Sequence, residues 1–177
     1  LKREYHQRYP EIGESALKEG YSGRFSIDDF IDELGMTLAE ALLSPTRIYA
    51  PIIAELILRS LDGVKIMCHN TGGGLTKIMR IGRGIRYVKD DLPEPSQIFK
   101  LIQREGKVSW REMHEVFNMG VGFELVVEKD HADDVIQLAE KYKVSAEVIG
   151  RIELTREPAN EVVIKSRYGS FKYRRKA

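Results

Sequence analysis

Residues 64–75 read Val64-Lys65-Ile66-Met67-Cys68-His69-Asn70-Thr71-Gly72-Gly73-Gly74-Leu75. A short apolar run, typical of a strand, is followed by three consecutive glycines and then by helical spacing over residues 75–81. Because glycine has no Cβ, these positions can adopt positive φ and leave backbone N–H groups open to a ligand. At the start of a helix such donors favour an anion. The stretch therefore predicts either a phosphate-binding loop or a tight turn that binds nothing.

The glycine loop differs from the two common nucleotide-binding loops. A Walker A loop requires Gly-Lys-Ser/Thr, whereas Gly74 is followed by Leu75 and Thr76. The dinucleotide fingerprint requires a third glycine at the position that Lys77 occupies here. Any phosphate binding by this loop therefore belongs to another class.

Helical and strand patterns alternate along the rest of the chain. Helices are predicted over residues 27–34 (capped by Ser26 and ended by Gly35), 48–61, 98–106 (capped by Ser96), 109–117 and 131–142 (capped by Asp130). Strands are predicted over residues 64–68, 85–88, 121–127, 148–154, 162–165 and 168–173. We expect the 148–154 and 162–165 strands to pair as a hairpin, and the 64–68 strand to be buried. This mixture predicts an α+β fold with a mixed β-sheet faced by helices.

The composition excludes several classes of protein. The chain has 177 residues, of which 42% are hydrophobic and 31% charged, which fits one globular domain. Its net charge of +1 gives no broad basic field for nucleic acid. Its single cysteine, Cys68, cannot form an internal disulfide, and we expect it to be a buried small hydrophobe. No apolar stretch is long enough to span a bilayer, so we expect a cytoplasmic protein.

Paired acids occur at residues 28–29, 90–91 and 133–134. Each pair lies at the end of a predicted element, and adjacent helical residues point in different directions. We therefore interpret them as capping and solvated groups, and we predict no metal site in this chain.

Three motifs, in order, are similar to those of the aminoimidazole ribonucleotide synthetase family, the phosphoribosylformylglycinamidine cyclo-ligases of purine biosynthesis. Residues 69–74 resemble its H-x-T-G-G-G loop. The other two motifs are Leu-Ser-Pro-Thr-Arg-Ile-Tyr at residues 43–49 and Met-His-Glu-Val-Phe-Asn-Met-Gly-Val-Gly at residues 113–122. A weaker match covers residues 146–152, and the resemblance extends over residues 36–154.

The resemblance implies a domain organisation and an activity. Residues 36–166 would form a domain like the family's C-terminal domain, residues 1–35 an extension or linker with a short helix, and residues 167–177 a basic tail or edge strand. The family uses ATP and Mg²⁺ to activate an amide oxygen of the formylglycinamidine ribonucleotide, and ring closure gives aminoimidazole ribonucleotide. Most ATP and metal ligands belong to an N-terminal domain that has no counterpart here. We therefore expect this chain alone to be inactive, to need that domain or a second subunit, and to occur in a homodimer.

The resemblance also implies the site residues. Thr71, Gly72, Gly73 and Gly74 would bind a phosphate of the ribotide or the nucleotide. His69 would contact that phosphate or the reacting amide, or else be a strand-end histidine fixed by a backbone carbonyl.

Three more side chains carry open interpretations. Asn118 would orient substrate or act as a left-handed helix cap. Arg47 would recognise phosphate or carboxylate, or form a surface salt bridge. His114 is expected to face solvent on its helix.

Two other interpretations remain. Related proteins of the superfamily act in hydrogenase maturation, phosphorylate thiamine monophosphate or synthesise selenophosphate, but they tend to carry an aspartate before their glycines where this chain has His69-Asn70-Thr71. Alternatively, the chain is a non-catalytic binding module whose basic tail, residues 172–176, grips an acidic partner or RNA.

Overall fold

The structure is a computed structural model that describes residues 24–59 and 63–174. Its elements in chain order are β1 (Phe30–Ile31), β2 (Met36–Thr37), α1 (Leu38–Leu43), α2 (Ala50–Leu58), β3 (Val64–His69), a 3-10 helix (Gly74–Arg80), β4 (Ile85–Lys89), α3 (Gln97–Gly106), α4 (Trp110–Val116), β5 (Phe123–Val127), a second 3-10 helix (Lys129–His131), α5 (Ala132–Lys141), β6 (Gly150–Leu154), β7 (Glu161–Ser166) and β8 (Gly169–Arg174). No helix in these described ranges is long and apolar enough to cross a membrane.

The described residues divide into two compact units, residues 24–45 with 95–109, and residues 46–59 and 63–94 with 110–174. The boundaries expected at residues 35 and 166 stay a prediction. In the first unit, β1 and β2 pair antiparallel, followed by α1, while α3 lies in the second segment. Its core consists of Ile31, Leu38 and Leu101, with half-buried apolar residues packed against them.

The helix predicted over residues 27–34 is wrong, because this segment forms turns and the β1 strand. The Asp29 carboxylate accepts a hydrogen bond from the Ser26 amide at 2.8 Å, which stabilises a local turn instead of a helix cap. Gly35 has φ +66° and donates its amide to the Ile31 carbonyl at 2.9 Å, so it closes the turn between the two strands.

In the second unit, the described residues form a four-stranded mixed sheet with the order β6-β4-β7-β8. β4 is antiparallel to β6 and parallel to β7, and β7 is antiparallel to β8. The mixed sheet and the strand at the C-terminal end are as predicted.

The hairpin predicted between the 148–154 and 162–165 strands is wrong, because β4 lies between β6 and β7. Gly84, just before β4, accepts a hydrogen bond from the Thr155 amide and donates its own amide to the Pro158 carbonyl. The buried Asn160 side chain accepts a hydrogen bond from the Ile85 amide at 3.0 Å. These bonds hold β4 between β6 and β7. The connection over residues 155–160 is long enough to pass from β6 over β4 to β7, because neighbouring strands lie about 4.8 Å apart.

A second, two-stranded sheet pairs β3 antiparallel with β5. Helices α2 and α5 form a core beside it from Ile52, Leu56, Val135, Leu138 and Ala139, with the β5 residues Leu125 and Val127 packed against this core. The strand predicted over residues 64–68 is confirmed, but its predicted burial is wrong. Only Cys68 of β3 is buried, while Lys65 and Met67 are exposed.

The other predicted helices are confirmed, as α2, α3, α4 and α5, with ends shifted by a few residues. Asp130 does not cap α5, because it lies in the short 3-10 helix and His131 occupies the cap position. The Ser96 side chain makes no cap hydrogen bond at the start of α3. The segment after the three glycines is a seven-residue 3-10 helix.

Candidate functional site

The glycine bend, residues 70–74, leads from β3 into the 3-10 helix. The Thr71 amide donates to the His69 carbonyl at 3.0 Å, and the Gly74 amide donates to the Thr71 carbonyl at 3.1 Å. Gly73 and Gly74 have φ +98° and +49°, a region that L side chains rarely adopt. A Cβ on Gly74 would lie 2.4 Å from the Phe117 carbonyl oxygen, so only glycine allows this close approach of the two backbones.

The first two glycines of the bend are less buried than the third. Gly72 is exposed and Gly73 is half-buried, and a Cβ on Gly72 would have no neighbour within 4 Å. Within the described ranges, neither the Gly72 nor the Gly73 amide donates a hydrogen bond. The bend therefore presents two adjacent free backbone donors, while its third glycine is buried against the protein.

Two cations of the 3-10 helix flank the bend. The Lys77 ammonium donates to the His69 carbonyl at 2.9 Å and to the Thr71 hydroxyl at 2.5 Å. The Arg80 guanidinium lies 3.5 Å from the position that a Cβ on Gly73 would occupy. Neither residue was singled out from the sequence. Their spacing of three residues in the sequence could have indicated that they lie on one side of the helix, because side chains at i and i+3 are eclipsed in a 3-10 helix.

The motif at residues 113–122 lies against the bend. The backbone amide of Asn70 donates to the Gly122 carbonyl at 2.9 Å. The Asn118 side chain donates to the Asn70 carbonyl at 3.3 Å and accepts from the Gly120 amide at 3.0 Å. The alternative of Asn118 as a left-handed cap is wrong, because Met119 and Gly120 hold the positive φ values there. The nitrogen of the Asn118 side chain thus links the two loops, while its oxygen holds its own loop.

The motif at residues 43–49 reaches the same place through Tyr49. Its ring lies edge-to-face with the His69 imidazole, with 5.7 Å between centroids. A Cβ on Gly122 would lie 2.1 Å from the Tyr49 hydroxyl oxygen, so this glycine makes room for the tyrosine. Burial raises the pKa of Tyr49, and the nearby charge of Arg47 partly opposes that shift. Arg47 itself is exposed, and no described residue forms an ion pair with it.

A buried polar network lies beneath the bend. The Lys89 ammonium donates to the Leu75 carbonyl at 2.7 Å and forms an ion pair with Glu124, and both side chains are about 95% buried. Asn70 donates to the same carboxylate at 2.6 Å and to the Val121 carbonyl at 2.9 Å. Desolvation lowers the pKa of Lys89, and the Glu124 charge opposes that shift. The network joins the bend to β4 and β5.

The two histidines of the matched motifs have different surroundings. The His69 imidazole is exposed and lies beside Phe123 as well as Tyr49, with 5.8 Å between the His69 and Phe123 ring centroids. The expectation that His114 faces solvent is wrong, because it is 2% exposed and its Nδ1 lies 2.5 Å from the Trp110 carbonyl oxygen. It packs against Phe171 of β8, and burial lowers its pKa. The sheet covers this face of α4, which the helix pattern alone did not reveal.

The remaining predicted groups lie as follows. Cys68 is buried, as expected, with a raised pKa caused mainly by desolvation. Among the described residues, no three His, Cys, Asp or Glu side chains are grouped so that they could hold a metal ion.

Comparison with known proteins identifies close relatives. The family model of the AIR synthase related protein, C-terminal domain, matches residues 12–162. The phosphoribosylformylglycinamidine cyclo-ligase of Methanocaldococcus jannaschii is 46% identical over 126 residues, which are 70% of this chain and 36% of that protein. The enzymes of that name from Methanopyrus kandleri and Pseudothermotoga lettingae are 42% and 37% identical, over 71% and 79% of this chain and 36% and 42% of their own lengths. The chain thus spans about two fifths or less of these relatives.

Proposed function

Because the chain belongs to the AIR synthase related protein family, as its C-terminal domain, we propose that it forms one wall of the active site of an ATP-dependent cyclo-ligase of purine biosynthesis. The enzyme would convert formylglycinamidine ribonucleotide and ATP into aminoimidazole ribonucleotide, ADP and phosphate. The chain would supply a phosphate-binding loop. An N-terminal ATP-binding domain or a second subunit, in a homodimer, would supply most of the nucleotide and Mg²⁺ ligands.

One observation carries this proposal, namely that three separate motifs meet at a bend with two free amides. Tyr49 contacts His69, the Asn118 side chain bonds the Asn70 carbonyl, and the Phe117 backbone packs on Gly74. A purely structural turn needs no such convergence. Free donors in a half-exposed loop are satisfied by water, which an anion can replace.

The surroundings of the bend favour a phosphate. The Gly72 and Gly73 amides would donate to its oxygens, and Lys77 and Arg80 would supply positive charge. Because the following 3-10 helix has seven residues, its dipole is small, and these two side chains would provide most of the electrostatic attraction. In phosphoryl transfer, catalysis consists mainly of positioning and charge neutralisation, which is what this arrangement offers.

The proposed roles of the other site residues follow from their contacts. The exposed His69 imidazole would donate a hydrogen bond to the phosphate or to the reacting amide. Thr71 would add its hydroxyl to the loop, and Asn118 would hold the loop in the conformation that accepts substrate. Arg47, exposed near Tyr49, would contact a phosphate or carboxylate of the ribotide. The described residues include no group of side chains that could hold a metal ion, and the proposal assigns most Mg²⁺ ligands to the N-terminal ATP-binding domain.

The alternative of a binding module that acts through a basic tail has less support. Two cations of this tail, Lys172 and Arg174, belong to β8 and form ion pairs with Glu161 and Glu157, at 2.7 and 3.2 Å. The other two, Arg175 and Lys176, lie outside the described residues. Tyr173 is buried, and its hydroxyl donates to the Arg111 carbonyl. Cations that are already paired within a sheet are poor candidates for gripping RNA.

Titration with inorganic phosphate tests the loop. Gly72→Asp places a carboxylate in open space beside the free amides, and Gly72→Asn is a neutral control of the same shape. We expect Gly72→Asp to weaken phosphate binding by roughly fivefold or more, since like charges about 5 Å apart near a surface repel by about 1 kcal/mol or more. Equal binding by both variants would contradict the proposed loop.

A chimera tests the enzymatic role. This chain would replace the matching segment of the Methanocaldococcus jannaschii protein, and aminoimidazole ribonucleotide formation would be measured with ATP. We expect an active chimera that loses activity on Gly72→Asp and keeps it on Gly72→Asn. A folded but inactive chimera that still binds phosphate would favour a different reaction within the superfamily.

A further inference from the structure

The His69 imidazole lies in an aromatic cluster made by Tyr49, His69 and Phe123. The Tyr49 ring is edge-to-face with the imidazole, with an interplanar angle of 69°, and the Phe123 ring is stacked at 24°. The rings of Tyr49 and Phe123 also contact each other, with 5.2 Å between centroids. An exposed histidine would otherwise change rotamers freely, so two ring contacts restrict where its nitrogen atoms lie.

Phe123 reaches the imidazole because β3 and β5 pair His69 with Phe123 directly across the two strands. Tyr49 arrives from another element, at the residue before α2. Its carbonyl accepts the Ile53 amide at 3.0 Å, and its hydroxyl end lies against Gly122. A larger residue at position 122 would displace the ring. The hydrogen bond to the Tyr49 carbonyl and the backbone of Gly122 at the hydroxyl end therefore fix the Tyr49 ring beside His69.

The geometry points to Tyr49 as a positioning residue for His69. Together with Phe123, it restricts the imidazole to the rotamer that makes these two ring contacts. This role rests on the proposed function, in which His69 contacts the phosphate or the amide of the substrate. Tyr49 itself needs no contact with substrate, and its hydroxyl group is not required for the ring contact. An edge-to-face pair favours one rotamer by a factor of roughly 2 to 12.

NMR spectroscopy of the 177-residue chain with ring-labelled histidine tests this role. The chain has four histidines, and His69→Gln assigns the His69 signals. In the unsubstituted chain we expect nuclear Overhauser contacts between the ring protons of Tyr49 and His69. Tyr49→Leu should move the His69 ring signals toward those of a free histidine, whereas Tyr49→Phe should restore them. The matched control is Phe171→Leu, which removes a ring next to His114 and should move the His114 signals only.

Titration with inorganic phosphate links the ring to binding. We expect Tyr49→Leu to raise the phosphate Kd, read from the shift of the His69 signals, by a factor of about 2 to 12. In the double variant Tyr49→Leu, His69→Gln, the phosphate Kd, read from the amide signals of Gly72 and Gly73, should equal that of His69→Gln alone. Unchanged His69 signals in Tyr49→Leu would overturn the role of Tyr49. If Tyr49→Leu does not fold, the absence of the Tyr49–His69 ring contact in the unsubstituted chain overturns it. Phosphate that moves no His69 signal would instead refute the proposed function of His69.

Discussion

Replacing Lys89 alone by methionine should lower the free energy of unfolding far more than replacing both Lys89 and Glu124 by methionine. In the chain, the Lys89 ammonium bonds Glu124 and the Leu75 carbonyl, and both charged side chains are 4–5% exposed. The single variant keeps the length of the side chain but leaves the Glu124 carboxylate buried with Asn70 as its remaining partner. An unpaired charge in such a place must be desolvated without compensation.

The expected magnitude follows from this burial. Removing one partner of a buried ion pair costs about 3–5 kcal/mol, whereas replacing both with apolar residues of similar volume is often neutral or stabilising. We therefore expect Lys89→Met to lower the free energy of unfolding by about 3–5 kcal/mol. The double variant should stay within about 1–2 kcal/mol of the unsubstituted chain, because only the hydrogen bonds to the Leu75 carbonyl and from Asn70 are then lost.

Urea unfolding at pH 7, followed by circular dichroism, measures these free energies. Equal m-values for all variants would show that the same surface is exposed on unfolding. If the effect of the double variant equals the sum of the two single variants, the ion pair does not act as a unit and the reasoning is refuted. A cost below about 1 kcal/mol for Lys89→Met would show that water reaches the pair.

Three further substitutions test separate contacts by the same unfolding measurement. Gly74→Ala should lower the free energy of unfolding by about 1–3 kcal/mol, because the φ of Gly74 is +49° and the new Cβ would clash with the Phe117 backbone. Gly72→Ala, in open space, should change it by less than about 0.5 kcal/mol. Equal effects of the two variants would contradict the described bend. Asn160→Asp should destabilise more than Asn160→Ala at pH 7, because the Asn160 amide donates to three backbone carbonyls within residues 79–82 and a carboxylate would repel them; the reverse order would count against these bonds. Desolvation raises the pKa of Glu161, but ion pairs with three cations outweigh it and lower the pKa to about 2, against an ordinary value of 4.5. A lowered pKa stabilises the fold above pH 4.5, and this stabilisation is lost as the pH falls from 4.5 towards 2, so Glu161→Gln should flatten the pH dependence of stability in that window; an unchanged slope would exclude this role.

Elements with strong local patterns could be predicted from the sequence, and the errors arose where distant residues decide the structure. Helix α2 shows apolar residues at helical spacing after a proline, and the structure places it there. The hairpin between β6 and β7 was wrong because the strand that separates them, β4, comes some 60 residues before β6 in the chain. At residues 26–35, the Asp29 side chain stabilises a turn with the same residue types that cap helices.

In the candidate site, too, residues with a local sequence pattern could be predicted, and residues brought together from distant parts of the chain could not. The glycine bend could be recognised because its glycines are consecutive, and the motif at residues 113–122 drew attention to Asn118. Lys89 and Glu124 were missed because each lies in an apolar strand pattern, and only the folded chain brings them together beneath the bend. His114 was misplaced for a similar reason, since its burial depends on β8.

The hydrogen bonds around the bend explain why its free amides are an available site. The side chains of Asn118 and Lys77 bond carbonyl groups of residues 69–70, and the Gly74 amide bonds the Thr71 carbonyl. These contacts fix the bend through its carbonyls and its ends, while the Gly72 and Gly73 amides between them donate to no described group. Buried donors must find protein partners, but half-exposed donors can be satisfied by water, which an anion can replace. In the proposed role, a bend held in this way would need little reorganisation to bind a phosphate, because folding would already have met the conformational cost of binding.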